Sequence, residues 1–221
     1  MRYGLDRRSG SGGEWPDDPD RSASEAARRA RGKLRRYGTA NRLNRLGTLT
    51  YRGDGCHDPR EFRKHMGAFF RRLRRSLGGE AFPYMWVPEW HKRGHGLHAH
   101  FAVGRYIKVE EIREAWGRGH VHIKALGHLP VGSGTFAEAR AGSLYLAKYV
   151  GKDFDHERLP GLHRYDLARG FEPAAVQLVG TRVEDVLAQA SESMGWMPAF
   201  VWHSDTERGW HGPPAVWASW N

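Results

Sequence analysis

The sequence predicts an α+β fold, an antiparallel sheet with flanking helices, and three observations carry that expectation. Two β-rich runs, Tyr84 to Trp90 and Leu97 to Val103, are joined by the short tip His91-Lys92-Arg93-Gly94-His95-Gly96. A connection that short joins only antiparallel strands. Phe62, Met66, Phe69, Phe70, Leu73 and Leu77 recur mostly at spacings of three and four, the apolar stripe of a helix laid on a sheet. Strand-like and helix-like runs then alternate on both sides of the hairpin.

The elements follow in order. Residues 1–22 are rich in Gly, Ser, Asp, Pro and Arg and read as disordered. Residues 24–37 predict a helix, inside a stretch from Arg21 to Arg45 that holds nine Lys/Arg and one acid, Glu25. Such a basic arm is either solvated or contacts phosphates. Leu46 to Tyr51 predicts a first strand, and the apolar stripe sets a helix from Asp58 to Leu77. The other face of that helix carries Arg71, Arg74 and Arg75, which with Lys92 and Arg93 of the hairpin tip are the candidate nucleic-acid contacts. Lys108 to Trp116 reads as a short helix with Val109, Ile112 and Trp116 inward, His120 to Ala125 as a strand, and Thr135 to Lys152 as a helix. Leu159 to Pro173 is loop-rich. Thr181 to Ser193 reads as a helix, and Ala199 to His203 with Ala215 to Trp220 as a last hairpin. Its tryptophans, with Trp196 and Trp210, are assigned to packing, base stacking being the alternative. The domains expected are a basic arm at 1–44, a catalytic domain at 45–175, and a helix with a Trp-rich hairpin packed on the core at 176–221.

Composition narrows the function classes. The chain has 221 residues, 39% of them hydrophobic, and a formal charge of +10, so a substantial core is possible and a polyanionic partner is favoured. A single cysteine, Cys56, excludes an internal disulfide framework. No run reaches the ~18 apolar residues of a membrane span, so no membrane partner is expected. No GxxxxGK[ST] loop is present, so no nucleotide cofactor is expected.

Two clusters carry chemistry. His98 and His100 lie two apart on a strand and so share a face. Pairing Trp90 with Leu97 across the tip puts Glu89 opposite His98 and on that face. Two imidazoles and a carboxylate with open positions accept Mn²⁺ or Mg²⁺. A second pair, His120 and His122, has no opposed carboxylate and reads as strand histidines. His57, His65, His91, His95 and His128 read as surface residues, with His91 and His95 near the proposed metal and within reach of DNA. The other cluster is Tyr145-Leu146-Ala147-Lys148-Tyr149-Val150-Gly151-Lys152. On a helical wheel Tyr145, Lys148, Tyr149 and Lys152 share an arc of roughly 100°. A free phenol has a pKa of about 10, and cations beside it favour the phenolate, a nucleophile.

In this order, Leu46-Gly47-Thr48-Leu49-Thr50-Tyr51, Leu97-His98-Ala99-His100-Phe101 and the doubled Tyr-x-x-Lys at Tyr145/Lys148 and Tyr149/Lys152 resemble the motifs of the HUH endonucleases. They are most similar to those of rolling-circle replication initiators of the two-tyrosine type found in small phages. The resemblance spans residues 45–155, and His163 to Pro173 resembles the segment that follows the core in bacterial and phage relatives. It implies Glu89, His98 and His100 as metal ligands, Tyr149 as first and Tyr145 as second nucleophile, and Lys148 and Lys152 as their cations. It also implies nicking of single-stranded origin DNA through a 5′-phosphotyrosine, with a host helicase and DNA polymerase as partners in the cytoplasm of a bacterial host. An HUH transposase, a plasmid mobilisation protein and a catalytically degenerate single-strand-binding module are the alternatives.

Overall fold

The computed structural model describes residues 19–92, 94–124, 134–149, 165–210 and 214–220. The chain forms two compact units that divide after Pro173. The first contains α1 (Pro19–Ala40), β1 (Arg45–Tyr51), α2 (Pro59–Ser76), β2 (Tyr84–Trp90), β3 (Leu97–Val103), α3 (Val109–Trp116), β4 (Gly119–Lys124), α4 (Gly134–Ala147) and β5 (Asp166–Leu167). Its five strands run in the order β4-β1-β3-β2-β5, each pair antiparallel. The second unit contains α5 (Val183–Met194), a hairpin of β6 (Phe200–His203) and β7 (Val216–Ser219), and a 3₁₀ turn at Ser204–Thr206. Trp202 pairs with Trp217 across that hairpin, and Trp196, Trp210 and Trp217 are exposed.

The period-two alternation of β3 divides the first unit into two cores. Leu97, Ala99, Phe101 and Val103 turn toward α2 and α3, where they meet Phe62, Met66, Phe69, Leu73 and Trp116. Ala102 turns the other way, with Leu46, Met85 and Val87, toward Leu34 and Tyr37 of α1 and Leu146 of α4. All seven residues of β3 are buried, as a central strand covered on both faces requires. Asp58 caps α2 by accepting from the Arg60 backbone N–H, with Pro59 in the first turn.

Helix α1 is built into this unit. Ala27, Ala30, Leu34 and Tyr37 recur at spacings of three and four and are buried. The Tyr37 hydroxyl donates to the Ala168 carbonyl at 2.8 Å, and Asn41 Nδ2 donates to the Phe171 carbonyl at 2.8 Å. These bonds hold residues 168–171 against the helix. Two glycines permit close approaches: a Cβ at Gly47 would strike the Phe101 ring, and one at Gly38 would strike Ser143 of α4.

Four details differ from the sequence reading. Helix α1 begins at Pro19, so residues 19–22, read as disordered, are helical. Helix α4 ends at Ala147 among the described residues, so Tyr149 follows the helix and does not ride on it. Residues 166–167, inside the predicted loop, add a two-residue edge strand to β2, too short for any periodicity to signal. His65 is partly buried and hydrogen-bonded to the Tyr51 hydroxyl at 3.0 Å, and His95 Nε2 lies 3.0 Å from the Tyr51 carbonyl, so neither is a plain surface residue. The expectations of disorder at 1–18, of helix beyond Tyr149, and those on Arg93, His128, Lys152 and His163 fall outside the described residues. No helix among the described residues is long and apolar enough to cross a membrane.

Candidate metal and tyrosine site

The β2–β3 register places Glu89 opposite His98 and Val87 opposite His100. The three candidate ligands are at most 9% exposed. Glu89 Oε2 lies 2.7 Å from His100 Nε2 and 3.0 Å from His98 Nε2, and the two Nε2 atoms are 3.1 Å apart. His100 Nδ1 is hydrogen-bonded to Thr48 Oγ1 at 3.0 Å, since β1 pairs Thr48 with His100. With the Nδ1 proton donated to Thr48, the Nε2 lone pair aims at a carboxylate oxygen. Lone pairs converging this closely repel unless a proton or a cation lies among them. The donor set therefore fits a divalent cation, with Glu89, His98 and His100 as its holders. With no cation and with protons on the facing Nε2 atoms, burial alone would raise the Glu89 carboxyl pKa, but hydrogen bonds from His100 and His98 outweigh it and hold it far below the usual carboxylate range.

Tyr149 reaches this cluster directly, and Tyr145 reaches it through Tyr149. The Tyr149 ring stacks on the His100 imidazole, centroids 3.9 Å apart and planes 19° from parallel, and is buried. Tyr145 meets Tyr149 edge-on, and their hydroxyls are 2.5 Å apart. Lys148 Nζ lies 3.8 Å from the Tyr145 ring centroid and 5.1 Å from that of Tyr149. Lys124 Nζ, from β4, lies 4.1 Å from the Tyr145 centroid.

This environment splits the two phenols. Burial would raise both. For Tyr145, hydrogen bonds from Tyr149 and Lys124, with the charges of Lys148 and Lys124, overcome burial and set its pKa below the ordinary phenol value. For Tyr149, burial, the Tyr145 hydrogen bond, and the nearby Tyr145 and Glu89 charges raise it. Of the two phenols, Tyr145 therefore ionises first and Tyr149 keeps its proton longer.

Thr48 and Lys124 are absent from the sequence-level site. Their only signal is the β4-β1-β3 order, which puts Thr48 between His122 and His100. The same pairing places His120 and His122 on the sheet face of the metal cluster, exposed and outside the ligand group. Arg71, Arg74 and Arg75 are exposed on α2, which packs on the opposite face of the sheet. The structure therefore does not bring them to the tyrosines. Lys92 is exposed at the hairpin tip, beside His91, whose ring lies 5.7 Å from that of His98.

A His-x-His strand with an in-register glutamate on an antiparallel sheet, faced by paired tyrosines, defines a protein of the HUH type seen in replication initiators. The chain belongs to the family of replication-associated proteins of the ORF2/gene 2 protein type, whose family model matches residues 44–154. The match takes in β1, the metal cluster and both tyrosines. No curated protein and no solved structure matches the chain.

Proposed function

We propose that this protein is a metal-dependent single-stranded DNA endonuclease and strand transferase that initiates rolling-circle replication. The observation that carries this reading is the stacking of Tyr149 on His100 with Tyr145 hydrogen-bonded behind it. It presents a nucleophile, and a partner for its proton, at the metal-ligand cluster. A divalent cation held by Glu89, His98 and His100, Mn²⁺ or Mg²⁺, supplies the positive charge that a scissile phosphate and an attacking phenolate both need.

The residues divide the remaining work. Tyr149 attacks phosphorus while its proton passes to Tyr145, which Lys124 and Lys148 favour as phenolate. The new bond joins Tyr149 Oη to the 5′-phosphate. The broken bond is P–O3′, and the departing oxygen takes that proton from Tyr145 to become a 3′-hydroxyl, the primer for a DNA polymerase. The phosphodiester is conserved as a phosphotyrosine, so a later 3′-hydroxyl can reclose the strand without nucleotide hydrolysis. The two-tyrosine arrangement lets Tyr145 make the second attack. Lys152 is assigned to positioning the phosphate, and a host helicase to opening the duplex.

The test is a covalent adduct assay with labelled single-stranded origin DNA and Mn²⁺. Tyr149→Phe and Tyr145→Phe each weaken the adduct, the double variant abolishes it, and His98→Ala abolishes cleavage. An adduct that persists in the double variant sinks the assignment of the nucleophiles. Unchanged cleavage in His98→Ala refutes the metal ligands.

A further inference from the structure

A cleft of about 1150 Å³ lies between α1 and residues 165–172. Its walls carry Arg28, Arg29, Lys33 and Arg36 of α1, Arg63 of α2 and Arg169, against two acids, Asp166 and Glu172. A neighbouring cleft of about 440 Å³ shares Arg63 and Asp166 and adds Arg60, Lys64 and Arg71. The excess positive charge thus runs from one helix across to the other. Helix α1 docks through the buried Ala27, Ala30, Leu34 and Tyr37, of which Ala30 alone also borders the cleft. The Arg63–Asp166 pair, at 3.8 Å and about two-fifths exposed on each side, neutralises little.

The cleft is distinct from the metal cluster. Strand β5 pairs with Met85 and Trp86 of β2, three to four residues from Glu89. That separation is roughly 10–13 Å along the strand, and one strand further toward the sheet edge. We infer that this cleft is a docking groove for the phosphodiester backbone of duplex DNA flanking the strand that is cut. The occupant's identity as DNA rests on the function proposed above; the groove's charge does not.

Two features favour a duplex over a single strand. Arg28 to Arg36 spans about 12 Å of helix, the axial reach of roughly three to four phosphates of one B-form strand. Single-strand sites add aromatic platforms for unstacked bases, whereas Tyr165 is the one aromatic residue in the larger cleft among the described residues. The neighbouring cleft adds Phe70 and Trp86, which are buried, and the half-buried Tyr84, so cations outnumber open ring faces along the groove; such a row reads backbone, which a duplex presents in regular array.

The test compares binding of a mixed-sequence duplex and of a short single-stranded oligonucleotide by fluorescence anisotropy over a salt series. One variant combines Arg28→Gln, Lys33→Gln and Arg36→Gln; a second, Arg169→Gln, alters the residue 165–172 side. The expected result for the triple variant is at least a tenfold loss of duplex affinity. Its log K against log [salt] slope becomes shallower by roughly 2.7, about 0.9 per lost phosphate contact. Arg169→Gln flattens the slope by roughly 0.9. Single-strand affinity shifts by less than about twofold in both. Unchanged duplex affinity and slope in both variants overturn the inference, and so does an equal loss for the single strand. If the triple variant melts early, Arg169→Gln decides alone. A wild-type protein that forms no adduct yet shows these slope changes loses the proposed nicking activity and keeps the groove.

Discussion

At the scale of the residue, the site depends on side chains that touch no candidate ligand atom. Thr48 holds His100 Nδ1 at 3.0 Å and so turns Nε2 toward Glu89 and His98. Thr48→Val keeps the shape of the side chain and removes the hydroxyl. Mn²⁺ affinity measured by calorimetry should fall by about tenfold or more, and Thr48→Ser should restore it. Lys124 acts on the second tyrosine. Its hydrogen bond and charge help hold the Tyr145 phenol below its ordinary pKa, so their loss raises that pKa and delays ionisation as pH increases. Lys124→Gln should therefore move the rising limb of the single-turnover nicking profile to higher pH and lower the rate at neutrality. Lys124→Arg should move it less. An unmoved limb would separate Tyr145 ionisation from the rate. Neither residue is legible in the linear sequence, because each reaches the site through strand pairing, β1 with β3 and β4 with β1.

At the scale of the element, what was legible followed short-range geometry. The six-residue tip sets the β2–β3 register, and with it the position of Glu89. The apolar stripe of α2 appears as predicted, with Phe62, Met66, Phe69, Phe70 and Leu73 buried. The end of α4 was not legible: a Tyr/Lys wheel continues through Lys152 in sequence, while the structure leaves the helix at Ala147 and brings Tyr149 onto His100 by stacking. The buried side of α4 ends with Leu146 and Ala147, and Tyr149 is then held by its contact with His100 of the sheet. Helix α1 is the complementary case, where basic composition conceals a core face of Ala27, Ala30, Leu34 and Tyr37. Leu34→Ala should cost about 2–5 kcal/mol, read as a lowered urea midpoint, because this side chain is fully buried against the sheet. Gly47→Ala forces a methyl into the Phe101 ring and should cost about 1–3 kcal/mol.

At the scale of the whole molecule, the charge of +10 pointed to a polyanion without locating it. The location needed tertiary structure, since the basic cleft joins α1 to a segment more than a hundred residues away. The metal cluster links this architecture to stability. Glu89, His98 and His100 come from two adjacent strands of the central sheet, so a cation on them binds the folded chain and not the unfolded one. At a concentration one hundred times its Kd, Mn²⁺ should stabilise the protein by about 2.7 kcal/mol, raising the Tm by roughly 5–11 °C for a chain of this size. His98→Ala and Glu89→Gln should lose that increment. The pH dependence has a defined sign. Metal ligation needs neutral imidazoles, so protons compete with Mn²⁺ and its increment should shrink as pH falls. Without metal, the depressed Glu89 carboxyl contributes stability that is complete above the unfolded carboxylate value of about 4.3 and is lost as pH falls toward its folded value. Thermal melts with and without Mn²⁺ should therefore converge below about pH 5 and diverge steadily toward neutrality. A constant gap between the two curves across that range would mean that the ion binds somewhere other than these histidines.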